Sequence, residues 1–197
     1  MKPADSGCIP PPVTPDFDPL DKIAELHEAL DHRRLRHALI GAFAASAWGT
    51  PRATQDIDWL ADVPSAARPG LTEDFRKLGY DAEWRTGGQD DPIPELLRLY
   101  PRNAYRGMRV DVLLALRAFD REALSRAAKV AVGKFRIPTI CAEDLIAMKL
   151  SAGGYVDIMD VQGILRVQAG RLDGELLEIS CRRLHVLTEL KRLQSSA

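Results

Sequence analysis

The stretch His37-Ala38-Leu39-Ile40-Gly41-Ala42-Phe43-Ala44-Ala45-Ser46-Ala47-Trp48 decides how this chain is read, together with its continuation, Gly49-Thr50-Pro51-Arg52-Ala53-Thr54-Gln55-Asp56-Ile57-Asp58-Trp59-Leu60. An apolar run ends at Gly41, a short helical stretch follows from near Ala42, and Asp56-Ile57-Asp58 opens a second apolar segment. Leu39-Ile40 therefore ends a first strand, and Ile57 to Leu60 belong to a second. Side chains alternate across a strand, so Asp56 and Asp58 leave it on the same face. Neighbouring carboxylates repel, and a fold tolerates the pair best when a divalent cation sits between them. Magnesium prefers such oxygen ligands and is held by one or two carboxylates plus substrate phosphates.

Gly41 supplies the other half of the argument. It lies where a strand turns into a helix, and without a Cβ it lets a phosphate approach the backbone closely. The helix beginning near Ala42 aims its free N–H groups and positive dipole end at that phosphate. A phosphate cradle followed by a carboxylate pair suits phosphoryl or nucleotidyl transfer. An Asp-x-Asp alone is common in surface turns; its place after the glycine turn and inside an apolar strand makes it a metal-ligand candidate.

On these residues, Gly41-Ala42 through Asp56-Ile57-Asp58 resembles the polymerase-β-type nucleotidyltransferase superfamily. With Gly49-Thr50-Pro51-Arg52-Ala53-Thr54 ahead of the acids, the string is similar to its bacterial branch of AbiEii-like toxins and minimal nucleotidyltransferase (MNT) proteins of toxin–antitoxin systems. A second block is also similar: Ile137-Pro138-Thr139-Ile140, then Glu143-Asp144-Leu145-Ile146-Ala147-Met148-Lys149-Leu150, ending at Asp157-Ile158-Met159-Asp160. The superfamily often has Gly-Ser or Gly-Gly where this chain has Gly41-Ala42, so a serine hydroxyl is missing from the phosphate turn. The resemblance implies a third metal-binding carboxylate on a later apolar strand. Asp111, within Met108-Arg109-Val110-Asp111-Val112-Leu113-Leu114, is the residue that fits. An acid in an apolar strand is costly unless paired, metal-bound or at the rim.

Composition bounds the answer. The chain has 197 residues, enough for one domain or a domain with a small helical appendix. Its net charge of −1 gives no global attraction to nucleic acid. Cys8, Cys141 and Cys181 are widely spaced and form no Cys-x-x-Cys pair, which argues for free thiols in a reducing cytoplasm and against a zinc site. No stretch approaches transmembrane length, and the N-terminus is rich in proline where a signal peptide needs an apolar run.

Residues 1–19 read as a flexible, Pro-rich leader. Residues 20–140 then form a catalytic domain, and residues 141–197 a helical part packing on it. Asp21 is placed to cap a helix running to about His32, with Ile23, Leu26 and Leu30 on one face. Helices are expected over 72–78, closed by Gly79, near 119–128, and over 142–152, 157–168 and 174–194. Asp173 caps the last of these, and Leu176, Ile179, Leu184, Leu187 and Leu190 form its stripe. Glu83-Trp84-Arg85 reads as a strand, residues 86–94 as a loop, and Gly133 as the tip of a hairpin.

The fold class expected is mixed α/β, a short twisted sheet flanked by helices with an α-helical C-terminal part closing one side of a cleft. The expected activity is magnesium-dependent nucleotidyl transfer from a nucleoside triphosphate, through two ions, with manganese the alternative. Asp56, Asp58 and Asp111 are the candidate metal ligands. Gly41, Ala42, Arg52, Thr54 and Lys149 are the candidates for nucleotide and phosphate. Other readings stay open for several of these. Arg52 either pairs with the acids or contacts nucleotide, Thr54 is as readily a turn residue, and Asp111 is equally a strand-end acid paired with Arg109 or Arg52. Lys149 either snorkels from its apolar helix or reaches the triphosphate, with Asp160 orienting it. Neither His27, His32, His37 nor His185 has ligand spacing, and Trp48 and Trp59 read as core. The acceptor is an RNA such as transfer RNA, a protein or a small molecule, and a toxin or antitoxin partner is implied by the resemblance. The alternative is a non-catalytic binding or regulatory protein that keeps the fold.

Overall fold

A computed structural model describes residues 18–54, 56–87, 95–102 and 108–195. In chain order the elements are α1 (Pro19–His32), β1 (His37–Ile40), α2 (Gly41–Trp48), β2 (Asp56–Ala61), α3 (Arg68–Lys77), β3 (Tyr80–Thr86), β4 (Glu95–Pro101) and β5 (Arg109–Leu114). They continue with α4 (Ala118–Ser125), β6 (Ala128–Val132), β7 (Phe135–Thr139), α5 (Ala142–Ala152), α6 (Tyr155–Val167), α7 (Gly174–Arg183) and α8 (Leu187–Ser195). The strands form one 7-stranded mixed sheet in the order β3-β4-β5-β2-β1-β7-β6. β2 runs parallel to β5 and β1 to β7, while the other neighbours are antiparallel. This is the mixed α/β architecture expected.

Register sorts the two faces. Trp84, Leu97, Val112, Trp59 and Leu39 lie opposite one another across β3, β4, β5, β2 and β1, so their side chains share a face. Helices α1 and α3 cover that face. His27 of α1 stacks on Trp59, and Trp84 Nε1 donates to Thr72 Oγ1 of α3 at 3.0 Å. Ile23, Leu26 and Leu30 are fully buried there, as the spacing of α1 requires. One residue along, Ile40, Asp58, Asp111 and Arg98 form a row on the opposite face, and Asp56 and Arg109 form a second. Asp56, Asp58, Arg98, Arg109 and Asp111 therefore point away from α1 and α3.

The C-terminal helices are tied down by a buried acid. Asp144 of α5 is fully buried and accepts two hydrogen bonds from Arg126, at 2.9 and 3.0 Å, and one from Ser180 Oγ of α7 at 2.6 Å. Its Oδ2 also accepts from Cys141 Sγ at 3.1 Å. Burial and this neighbouring carboxylate push the Cys141 thiol up to about 12; burial does the same to Cys181, and both are free thiols.

Several element boundaries differ from the sequence expectation. The cap of α1 is Asp18, whose Oδ1 accepts from Leu20 N at 2.8 Å, rather than Asp21. Pro19 is the cause: it has no N–H to satisfy and its fixed φ starts the helix one residue after the cap. Asp21 instead pairs with Lys134 at 2.9 Å. Helix α3 begins at Arg68, four residues before the expected start. The expected helix 174–194 is broken into α7 and α8 by His185 at φ 60°, where Val186 N donates back to Cys181 O at 2.8 Å. The buried stripe of α7 accordingly runs through Leu177, Ser180 and Cys181, and Ile179 is exposed. Strand β4 went unforeseen, and residues 88–94 of the expected loop, residues 1–17 of the leader and Cys8 lie outside the described residues. The Gly133 hairpin, Asp173 as the α7 cap and the strand at 83–85 are present as expected.

Replacing Asp144 by Ala leaves Arg126 with its longer contact to Glu122, at 3.8 Å, and unpairs Ser180. Urea unfolding should show a loss of about 1–3 kcal/mol, the range for hydrogen bonds to a charged group and for a buried polar group left unsatisfied. A loss below about 1 kcal/mol would show that the network does not hold the C-terminal helices.

Candidate functional site

The site begins with Gly41. Its φ of +65° is a left-handed conformation that side chains resist, and a Cβ placed there would lie 2.1 Å from Asp58 Oδ2. Chain direction and side-chain volume thus both demand glycine at the point where β1 becomes α2. Ile40 pairs with Asp58 across the antiparallel ladder, so the absent Cβ leaves room for the Asp58 carboxyl against the backbone at the start of α2. No side chain caps that helix start, and its first N–H groups are left to other acceptors.

The acids come together as the register dictates. Asp58 lies beside Asp111 on the parallel neighbour β5, and Asp56 beside Arg109. Asp111 is 6% exposed and is gripped from β4 by Arg98, whose Nε and Nη2 donate to its two carboxylate oxygens at 2.7 and 2.8 Å. Asp56 accepts from Arg109 Nη2 at 2.8 Å. Asp58 has no such cation among the described residues. Burial, then Asp111 and Asp56, push its carboxyl up to about 6, while Lys149 and Arg109 act in the opposite direction.

A cavity of about 290 Å³ opens over this row, with Gly41, Asp58 and Asp111 on the sheet side and Leu145, Met148 and Lys149 of α5 on the other. Arg117 and Asp157 also reach it. Lys149 is 8% exposed, and its Nζ lies 2.8 Å from both Asp157 Oδ1 and Asp160 Oδ2 of α6. Burial opposes the charge on Asp160, but hydrogen bonds from Arg52 and Lys149 outweigh it and hold the carboxyl below its usual range. Asp160 is thus the salt-bridge partner that orients Lys149.

Two of the candidate residues lie elsewhere than over the acids. Arg52 donates to Asp160 Oδ1 and Oδ2 at 2.8 and 3.1 Å and not to Asp56, Asp58 or Asp111. The reason is packing. Gly49 and Gly163 let the segment after α2 lie flat on α6, since a Cβ at Gly49 would stand 2.9 Å from Ile164 N, and one at Gly163 3.1 Å from Thr50 Oγ1. Thr54 braces the entry to β2, its hydroxyl accepting from Asp56 N at 3.3 Å. The sequence reading missed Arg98 altogether; Arg109 or Arg52 was the partner named for Asp111 in the one of its two open readings that paired it with a cation. Arg109 does approach Asp111, at 3.5 Å, but as a secondary contact. Among the described residues, no group of three or more His, Cys, Asp or Glu side chains is gathered as a ready metal cage. The donor set nevertheless fits a divalent cation: three carboxylates on one face, the central one with no cation in direct contact among the described residues.

With this geometry in place, comparison with solved structures is informative. The antibiotic-resistance factor ANT(2'')-Ia superposes with a TM-score of 0.58 at 17% identity, covering 91% of this chain and 98% of that one. An antigenic nucleotidyltransferase-like protein from Paracoccidioides brasiliensis gives 0.54 at 14%, covering 89% of each chain. The lincosamide antibiotic adenylyltransferase LnuA, with lincomycin bound, gives 0.51 at 14%, covering 75% of this chain and 95% of that one. The fold is the nucleotidyltransferase fold. No protein-family model matches the sequence, and no curated protein is significantly similar to it. At these identities the likeness is one of fold, and the AbiEii/MNT branch finds no counterpart in it. No helix among the described residues is long and apolar enough to cross a membrane.

The raised Asp58 value carries a stability consequence. Its folded value, about 6, lies above the ordinary 3.8, so stability is fully present below pH 4 and is lost as pH rises through 6. Asp58→Asn mimics the protonated form. In chelator at pH 8 the variant should be more stable than the parent, by at most about 3 kcal/mol, with the gap closing below pH 4. Urea titrations across that range check it. A variant less stable than the parent at pH 8 would make Asp58 a structural partner.

Proposed function

We propose that this protein is a divalent-metal-dependent nucleotidyltransferase that moves a nucleoside monophosphate from a nucleoside triphosphate to a hydroxyl. The observation that carries the reading is the carboxyl of Asp58, with no cation in direct contact among the described residues, set beside Asp111 and against the Gly41 turn, at the wall of a cavity that Lys149 closes from the other side. A fold shared with antibiotic adenylyltransferases supports it. Asp56, Asp58 and Asp111 would hold magnesium or manganese, which when bound supplies charge neutralisation for the phosphates.

The rest falls to the chain's own groups. The N–H groups at Gly41 and Ala42, which no side chain caps, would donate to phosphate oxygens, with the positive end of α2 behind them. Lys149, held in place by Asp157 and Asp160, presents a cation to the departing pyrophosphate. Arg52 acts through Asp160, keeping it charged and so keeping Lys149 in position. In an in-line displacement the acceptor oxygen bonds to the α-phosphorus as the bond to pyrophosphate breaks. No protein nucleophile is needed. For the acceptor, a small-molecule hydroxyl suits best. A net charge of −1 gives RNA no global attraction, and the cavity walls formed by Ile40, Leu113, Leu145 and Met148 are apolar. A toxin–antitoxin role has no independent support.

One observation favours the non-catalytic alternative. Arg98 and Arg109 already satisfy Asp111 and Asp56, as they would in a protein that retains the fold and binds nucleotide without turnover. Incubation with each labelled nucleoside triphosphate, magnesium and a panel of hydroxyl-bearing small molecules and RNA separates the readings. The parent should transfer label, and Asp58→Asn should lower the rate at least about 100-fold with circular dichroism unchanged. Metal-dependent triphosphate binding without transfer would establish the alternative. Full activity in Asp58→Asn would remove the central role of that carboxylate.

A further inference from the structure

The two arginines on the acidic face are not equivalent. Arg98 is seated: both prongs of its fork meet Asp111, at 2.7 and 2.8 Å, and its side chain is 18% exposed. Arg109 is stretched between two acids. Its Nη2 meets Asp56 Oδ2 at 2.8 Å, but its Nε stands 3.5 Å from Asp111 Oδ2. That Nε is a buried donor with no hydrogen-bond partner among the described residues, although the side chain as a whole is 43% exposed. A planar fork is at its best when two parallel N–H groups meet one carboxylate, as in Arg98. Arg109 has one good contact, one poor one and an open path to solvent. It nonetheless brings a positive charge to three carboxylates, since its field also acts on Asp58.

These facts describe a counter-ion that holds its position loosely. The carboxylate oxygens that Arg109 touches belong to residues that would ligate a divalent cation, and a lone pair that accepts from Arg109 is not available to the ion, whereas each oxygen of Asp111 keeps a second lone pair beside the one Arg98 takes. Leaving would break one hydrogen bond and free an unsatisfied donor, a small cost for a half-exposed pair. Displacing Arg98 would instead break two charge-assisted bonds in a nearly buried setting. A divalent ion concentrates twice the charge in a smaller volume and so wins the competition for Asp56 at sufficient concentration.

We propose that Arg109 is an internal counter-ion that competes with the divalent cation for Asp56 and Asp111 and swings to solvent when the cation binds, while Arg98 stays in place. The inference rests on the metal-binding part of the proposed function and adds to it a built-in threshold: the empty site is held neutral enough to fold, and its affinity for metal is reduced until the metal displaces the arginine.

Calorimetric titration with magnesium or manganese alone, without nucleotide, tests it on the full chain. Arg109→Ala should bind the ion about three- to tenfold more tightly than the parent, with Arg109→Lys in between, because lysine keeps the charge but loses the fork. In the parent, the Arg109 Nε–H resonance should shift and exchange faster with water as the ion saturates, while the Arg98 Nε–H signal stays protected. Arg109→Gln, which keeps most of the side-chain volume, serves if the alanine variant is poorly folded. A parent that binds the ion, with variants no tighter, overturns the competition and leaves the metal site standing. Tighter variants with an unmoved Arg109 signal overturn the displacement. Absence of ion binding in parent and variants alike overturns the inference and the metal part of the proposed function together.

Discussion

The absent side chain at Gly41 is the constraint on which the site depends. A Cβ would stand 2.1 Å from Asp58 Oδ2, so glycine at this position and a carboxylate opposite it in the ladder are a matched pair. That contact explains why α2 can start immediately after β1, why its first N–H groups open onto the acidic face, and why Asp58 can be so deeply placed. The positive φ of Gly41 turns the chain out of the sheet at the same point. One residue thus sets both the direction of the helix and the room for the acid.

Charge is then distributed unevenly by design of the register. Placing β5 parallel to β2 lines up Asp111 with Asp58 and Arg109 with Asp56, and adding β4 antiparallel brings in Arg98. Two acids gain arginines and the middle one does not. Across the cavity a second group, Arg52, Lys149, Asp157 and Asp160, pairs within itself, so Lys149 acts on Asp58 only at a distance and does not overcome its burial and like-charge neighbours. The unmet carboxyl is therefore a property of strand order, not of any single substitution.

How much of this was legible in the sequence follows from the range of each interaction. Asp56 and Asp58 share a face because strands have a period of two, and Gly41 follows from the turn at the end of an apolar run; both are local. The Lys149–Asp160 pair was legible because the block from Glu143 to Asp160 resembles the family's lysine-bearing helix followed by an Asp-rich one, and the two residues are close in the chain. Arg98 was not: its pairing with Asp111 exists only through the β4–β5 register, and nothing near residue 98 announces a strand edge. Arg52 kept two readings open because its choice of Asp160 depends on the flat packing permitted by Gly49 and Gly163, which are far apart in the chain. The break between α7 and α8 was hidden because Leu184 and Leu187 continue an apolar pattern, and a histidine, not a glycine, takes the left-handed turn.

The most direct test of this account is the titration of the Asp58 side-chain carboxyl by carbon-13 NMR, with and without magnesium. In chelator the carboxyl should titrate near 6, and saturating magnesium should drive it below the ordinary carboxylate range, because a bound cation favours the ionised form. An ordinary value in chelator that magnesium leaves unmoved would contradict the claim that Asp58 is the carboxylate this fold keeps for a cation.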